Sequence, residues 1–180
     1  LIKRIAAECF VPVAYGGGIH DVETAMKVIS TVADKVVIKM PNLLGAPAEK
    51  QLMLMHEIAQ RAGNQAVVGC IDYRAHLPLS MGNALHAVEY GAGEILAQSE
   101  DIDGLMSGYN LSLLHALRAI VNVPLVISSG AGSAQDCVDA VKAGADGVAI
   151  GAAFQFTDLT PNDVKRALHD SGYPVRLVLA

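Results

Sequence analysis

Three features of the sequence predict an α/β chain of parallel (β/α)8, TIM-type barrel units. Short β-branched runs end in glycine or a polar residue, amphipathic stretches of ten or more residues separate them, and two parts repeat at a fixed offset. About six βα units are expected, units 3 to 8 of such a barrel. They form one barrel domain over residues 1–180 that is incomplete at its N-terminus.

The elements follow in order. Leu1, Ile2, Ile5, Ala6 and Cys9 keep helical spacing and read as the tail of a unit whose own strand is missing. Strands are expected at residues 11–15, 35–39, 66–71, 94–98, 124–128 and 147–151. Helices are expected at 21–32, 48–62, 79–90, 111–120, 133–143 and 161–171. Ser133 is placed to cap one helix; Thr160, followed by Pro161 at the first helical position, caps another. Strand–helix alternation means parallel strands joined by right-handed crossovers. Two open edges would be an aggregation hazard, so completion by further sequence is expected over a second copy or a different closure.

The repeat has an offset of 112 residues, position 11 falling on position 123. Val11-Pro12-Val13-Ala14-Tyr15-Gly16-Gly17-Gly18 lies on Val123-Pro124-Leu125-Val126-Ile127-Ser128-Ser129-Gly130, and Ala33-Asp34-Lys35-Val36-Val37-Ile38 lies on Ala145-Asp146-Gly147-Val148-Ala149-Ile150. A register kept over two whole strand–helix–strand units, four units apart, suits a duplicated half-barrel.

Composition removes several function classes. The chain is 52% hydrophobic and only 17% charged, too apolar for disorder and suited to buried parallel strands. Net charge is −5 with no basic block, which argues against a nucleic-acid surface. The apolar runs fall short of the roughly 18 residues of a membrane span. The three cysteines lack metal-ligand spacing, so no metal and no cofactor are expected, in a reducing, cytoplasmic setting.

The repeat carries chemistry. Gly16-Gly17-Gly18 follows a strand and precedes a helix, so bare backbone amides can approach an anion, helped by the helix N-terminus. Ser128-Ser129-Gly130-Ala131-Gly132 repeats the arrangement, and Gly151-Ala152-Ala153 ends the next strand with small residues. Two such cups imply a substrate with a phosphate at each end. Asp72 directly follows an apolar strand, where a carboxylate is costly unless it faces a polar mouth, and is the acid–base candidate. Asp101 and Asp103 lie in a loop where ordering or capping is as good a reading as catalysis.

Val13-Ala14-Tyr15-Gly16-Gly17-Gly18-Ile19-His20-Asp21, Ala33-Asp34-Lys35-Val36, Gly91-Ala92-Gly93-Glu94-Ile95-Leu96, Asp103-Gly104 with Ser107-Gly108-Tyr109, Ser128-Ser129-Gly130-Ala131-Gly132 and Val175-Arg176-Leu177 form one ordered series. With it the chain resembles the cyclase subunit of imidazole glycerol phosphate synthase over nearly its whole length. The resemblance implies an enzyme that takes ammonia from a glutaminase partner to cleave and cyclise a bisphosphate ribulosyl nucleotide. The products are imidazole glycerol phosphate and an aminoimidazole carboxamide ribotide, in histidine biosynthesis. It places Asp72 on the family's acid–base aspartate. Gly17, Gly18 and Lys39 fall in one phosphate cup; Asp103, Gly104, Gly130, Ala131, Gly151 and Ala152 fall around the other. Lys35 and Glu94 fall on the charged gate through which ammonia enters.

Departures from that pattern are equally specific. The family's other catalytic aspartate sits on a first strand that this chain does not contain, so weak or absent cyclase activity is expected of it. Lys39 and Met40 replace an asparagine and a threonine that help hold one phosphate. Gln98, Ile102 and Leu105 replace threonine, arginine and threonine, and Ser129 replaces a glycine. Between Asp72 and Gly91 the chain is about fifteen residues shorter than the family. Two alternatives therefore stand. One is a paralogue that passes ammonia to a nucleotide-sugar for surface polysaccharide, which Cys9-Phe10-Val11-Pro12 resembles. The other is a non-catalytic remnant that binds phosphate or a glutaminase partner.

Overall fold

The computed structural model describes residues 2–40, 48–75 and 80–177. They form two compact units, Leu1–Asp72 with Pro78–Leu96, and Tyr73–Leu77 with Ala97–Ala180.

The first unit contains α1 (Ile2–Glu8), β1 (Ala14–Gly16), α2 (Val22–Thr31), β2 (Lys35–Lys39), α3 (Ala48–Ala62), most of β3 (Val67–Tyr73), α4 (Ser80–Glu89) and the first half of β4 (Glu94–Ser99). β1 pairs with β2 and β2 with β3, all parallel, with Ala14 opposite Lys35 and Lys39 opposite Cys70. β2 alternates: Val36 and Ile38 are buried, whereas Lys35, Val37 and Lys39 are partly or fully exposed. β3 is buried on both faces, as a continuous apolar run requires, and Met55 of α3 and Ala87 of α4 pack against it at Gly69. Gly69 explains how close those helices come. A Cβ there would lie 2.9 Å from the Ala87 Cβ and 3.3 Å from the Met55 Cε.

The second unit holds the rest of β4, α5 (Leu111–Arg118), β5 (Leu125–Ser128), α6 (Ala134–Lys142), β6 (Gly147–Val148), α7 (Ala152–Phe156) and α8 (Pro161–Asp170). β5 and β6 are parallel. Leu114, Leu117, Leu125, Ile127, Cys137, Ala140 and Ala153 are fully buried and make its core.

The repeat is written into the backbone of both units. Ala14 opposes Lys35 in one and Val126 opposes Gly147 in the other, each pair shifted by the same 112 positions. The Asp34 carboxylate accepts the Val13 N–H at 2.8 Å while its own N–H donates to the Val13 carbonyl. Asp146 and Leu125 form the same reciprocal clasp, at 2.9 Å. The N-caps of α2 and α6, Asp21 and Ser133, are also 112 apart.

Several expected boundaries differ by a residue or more, three of them as follows. The first strand begins at Ala14, not at residue 11, because Val13 spends its N–H on the Asp34 side chain. The first helix stops at Glu8, one residue before Cys9. β6 spans only Gly147–Val148, since the chain turns at Gly151 and enters α7, a short helix that the strand-like run 147–151 and its small-residue end concealed. Leu79, the expected start of a helix, lies outside the described residues. Among those residues, no helix is long and apolar enough to cross a membrane.

Candidate active site

In the first unit, β1 ends in Gly16 and hands the chain to Gly17 and Gly18 at φ 97° and 71°. Left-handed backbone is nearly free for glycine, and no atom lies within 4 Å of where a Cβ would stand on either residue. Their amides donate to no protein acceptor among the described residues. The helix behind this turn is less available than the sequence implies. The Asp21 carboxylate caps α2, taking the Thr24 N–H at 2.7 Å and the Thr24 hydroxyl at 2.9 Å, and these bonds hold it below the usual carboxylate range.

Asp72 sits near the end of β3 and is buried. Its Oδ2 pairs with the Lys39 ammonium and its Oδ1 lies 3.7 Å from the Cys70 thiol. The sheet register makes that cluster: Lys39 is opposite Cys70, and Asp72, two residues further, shares the Cys70 face. At the other end of the same face of β2, Lys35 pairs with Glu94 of β4. Four residues of parallel strand separate the two lysines by about 13 Å. The expected ammonia-gate pair is thus in contact, at the N-terminal end of its strands, and the acid–base candidate is at the C-terminal end.

In the second unit, a cavity of about 210 Å³ is lined by Asp103, Gly104, Met106, Ser128, Ser129, Gly130, Ala131, Ala149, Ile150, Gly151 and Ala152. All six residues expected around this phosphate line it. Gly130 and Gly132 are glycine because the 102–108 loop packs on them, with Gly108 O and Met106 O each 2.3 Å from a Cβ placed there. Gly104 and Gly151 are different: nothing lies within 4 Å of a Cβ at either, and Gly151 has an ordinary φ of −125°. Their missing side chains keep the cavity open. The Gly130 and Ala131 amides donate to no protein acceptor among the described residues, whereas those of Gly132 and Ser133 go to Asp136 at 2.9 and 2.8 Å. The Tyr109 hydroxyl donates to Ala149 O at 3.0 Å and fixes one wall; burial pushes its pKa far up, so it remains a neutral donor.

Asp101 orders a loop, accepting the Ala75 N–H at 2.6 Å, and Glu100 beside it pairs with Arg74. The sequence reading missed three features: the Lys39–Asp72 pair, the Cys70 thiol next to it, and the buried Ser129 hydroxyl, which meets no partner among the described residues. Spacing could have found Cys70, which is two residues from Asp72 on one strand. Among the described residues no group of three or more histidine, cysteine, aspartate or glutamate side chains could hold a metal ion.

A family model described as histidine biosynthesis protein matches residues 1–160. Imidazole glycerol phosphate synthase subunit HisF of Thermobifida fusca is 36% identical over 197 positions, covering 98% of this chain and 75% of that protein. The subunit of the same name from Streptomyces coelicolor is 36% identical over 192 positions, with 98% and 74% covered. That from Kineococcus radiotolerans is 37% identical over 203, with 98% and 75% covered. An alignment of 197 positions to a chain of 180 residues leaves at least 17 positions where the Thermobifida protein has a residue and this chain has none.

Proposed function

This chain belongs to the histidine biosynthesis protein family, a (β/α)8 barrel family, and we propose from that membership that it is the cyclase subunit of an imidazole glycerol phosphate synthase. It draws ammonia from a glutaminase partner, acts in the cytoplasm, and cleaves and cyclises a bisphosphate ribulosyl nucleotide. Asp72 moves protons as general acid and base. The Gly17 and Gly18 amides hold one phosphate. The Gly130 and Ala131 amides hold the other in the cavity that Asp103, Gly104, Gly151 and Ala152 complete. Ammonia enters past Lys35 and Glu94.

The observation that carries this reading is Gly151. Protein packing does not require glycine there, and it lines the cavity beside two amides with no protein acceptor among the described residues. A ligand anion accounts for both. The test is rescue of a histidine-requiring strain by the full-length gene that contains this sequence, supplied with its glutaminase. Rescue is expected, and Asp72→Asn is expected to abolish it.

One observation favours a second reading. Among the described residues, no basic side chain lines the cavity and Asp103 is its one charged residue. A lining without a cation suits a changed substrate, as in the paralogue that aminates a nucleotide-sugar for surface polysaccharide. Ammonia transfer to a nucleotide-sugar without rescue of histidine growth would replace the first reading with this one.

A further inference from the structure

Among the described residues, two that are not glycine hold a left-handed backbone: Met106 at φ 53° and Ser129 at φ 74°. Both line the 210 Å³ cavity of the second unit. A Cβ disfavours that conformation, and such strain gathers where a site over-determines its own geometry. The same turn occurs 112 residues earlier with Gly17 in the serine's place, at φ 97°. Glycine therefore suffices to build the turn, and the side chain at 129 is an addition that the turn does not ask for.

What it adds is a hydroxyl. Ser129 is 6% exposed, and its Oγ is buried with no hydrogen-bond partner among the described residues. Such a group is costly, and nearly every buried hydroxyl finds a partner in protein, water or ligand. The backbone around it is held. The Gly108 N–H donates to Gly130 O at 2.7 Å, and the Asp136 carboxylate takes the Gly132 and Ser133 amides. The side chain is not held: no hydrogen bond among the described residues fixes its χ1, so one staggered rotation re-aims the hydroxyl without breaking any.

Beside it are the Gly130 and Ala131 amides, which donate to no protein acceptor among the described residues. No cation stands among the described residues of the lining, so neutral donors have to carry an anion there. Ser128 and Ser129 supply the hydroxyls of that lining, and only that of Ser129 is buried without a partner.

We propose that Ser129 is a phosphate-binding residue: its hydroxyl, turned into the cavity, donates a third hydrogen bond to the anion held by the Gly130 and Ala131 amides. Two amides alone serve any small oxyanion, and a third donor from the same turn suits a tetrahedral one. The strained backbone and the lone hydroxyl are features of a site assembled before its ligand arrives. The proposal rests on the reading that this cavity holds a phosphate.

The experiment is an amide NMR titration, with inorganic phosphate at constant ionic strength, of the full-length protein that contains this sequence. Saturable shifts of the residue 130 and 131 amides are expected. Ser129→Ala and Ser129→Gly, which both lack the hydroxyl, are each expected to raise the phosphate Kd read at those amides by about tenfold or more. The Gly17 and Gly18 amides, in the other cup, should keep their response and so report a local change. Without phosphate, the urea midpoint of Ser129→Ala should be no lower than that of the unsubstituted protein. A lower one means that the hydroxyl is bonded within the protein, which overturns the proposal. A Kd unchanged in both variants overturns it as well. So does a Kd raised in Ser129→Ala but not in Ser129→Gly, because the backbone rather than the hydroxyl then sets the affinity. If the unsubstituted protein shows no saturable shift at residues 130 and 131, the phosphate reading of the cavity falls together with the proposal. If it shows one that the variants leave alone, only the proposal falls.

Discussion

Ser129 holds a left-handed backbone, φ 74°, which costs a residue with a Cβ of order 1 kcal/mol or more. The duplicated turn explains why it does so. Its counterpart 112 positions earlier is Gly17, at φ 97°, where the conformation is nearly free. The Ser129 hydroxyl is buried without a partner among the described residues, a second cost. Ser129→Gly is therefore expected to stabilise the chain by about 1–2 kcal/mol, read as a higher urea midpoint at unchanged slope. A lower midpoint would mean that the hydroxyl is bonded in solution. The same scale shows what the sequence can display about a site. Asp72 was visible because a carboxylate directly after six apolar or small residues needs a reason. Gly151 was visible as the end of a strand rich in small residues. The partner of Lys39 was not visible, because the register of β2 against β3 is set by packing across more than thirty residues of chain.

At the scale of elements, legibility followed local signals. α6 and α8 begin where their caps stand, and each closes a capping box: Ser133 with Asp136, Thr160 with Asp163. The strands were legible as β-branched runs, yet their ends shifted wherever a side chain took a ladder bond, as Asp34 does from Val13. α7 was illegible because five residues with Gly151 in front offer neither a side-chain cap nor a helical period. The cap of α6 has a further use, since Asp136 gathers the Gly132 and Ser133 amides and so fixes the turn that presents Gly130 and Ala131. Ser133→Ala removes the acceptor for the Asp136 N–H and is expected to cost about 1 kcal/mol of unfolding free energy. Because Asp136 still holds Gly132, the cavity should survive, with amide resonances of residues 130 and 131 little changed. Large shifts there would assign the turn's geometry to Ser133 rather than to Asp136.

At the scale of the molecule, the question is whether the chain folds as the one domain its sequence predicts. The boundary between the compact units is crossed at 72/73, 77/78 and 96/97. It cuts β3 before its last residue and divides β4 in the middle. A half-formed strand leaves backbone groups unpaired in a buried sheet, so a stable state with one unit folded would be expensive. The expected outcome is a single cooperative transition. At about 0.7 kcal/mol per residue near 60 °C, 180 residues give an unfolding enthalpy of about 130 kcal/mol. Differential scanning calorimetry should therefore return a van't Hoff enthalpy close to that calorimetric value. Units that melt independently would each carry about half, giving a van't Hoff enthalpy near 65 kcal/mol or two resolved peaks, and either result would divide the chain into two folding domains. Asp72→Asn and Ser129→Gly, one in each unit, sharpen the distinction: in a one-domain chain each substitution moves the whole transition, and in a two-domain chain each moves only its own half.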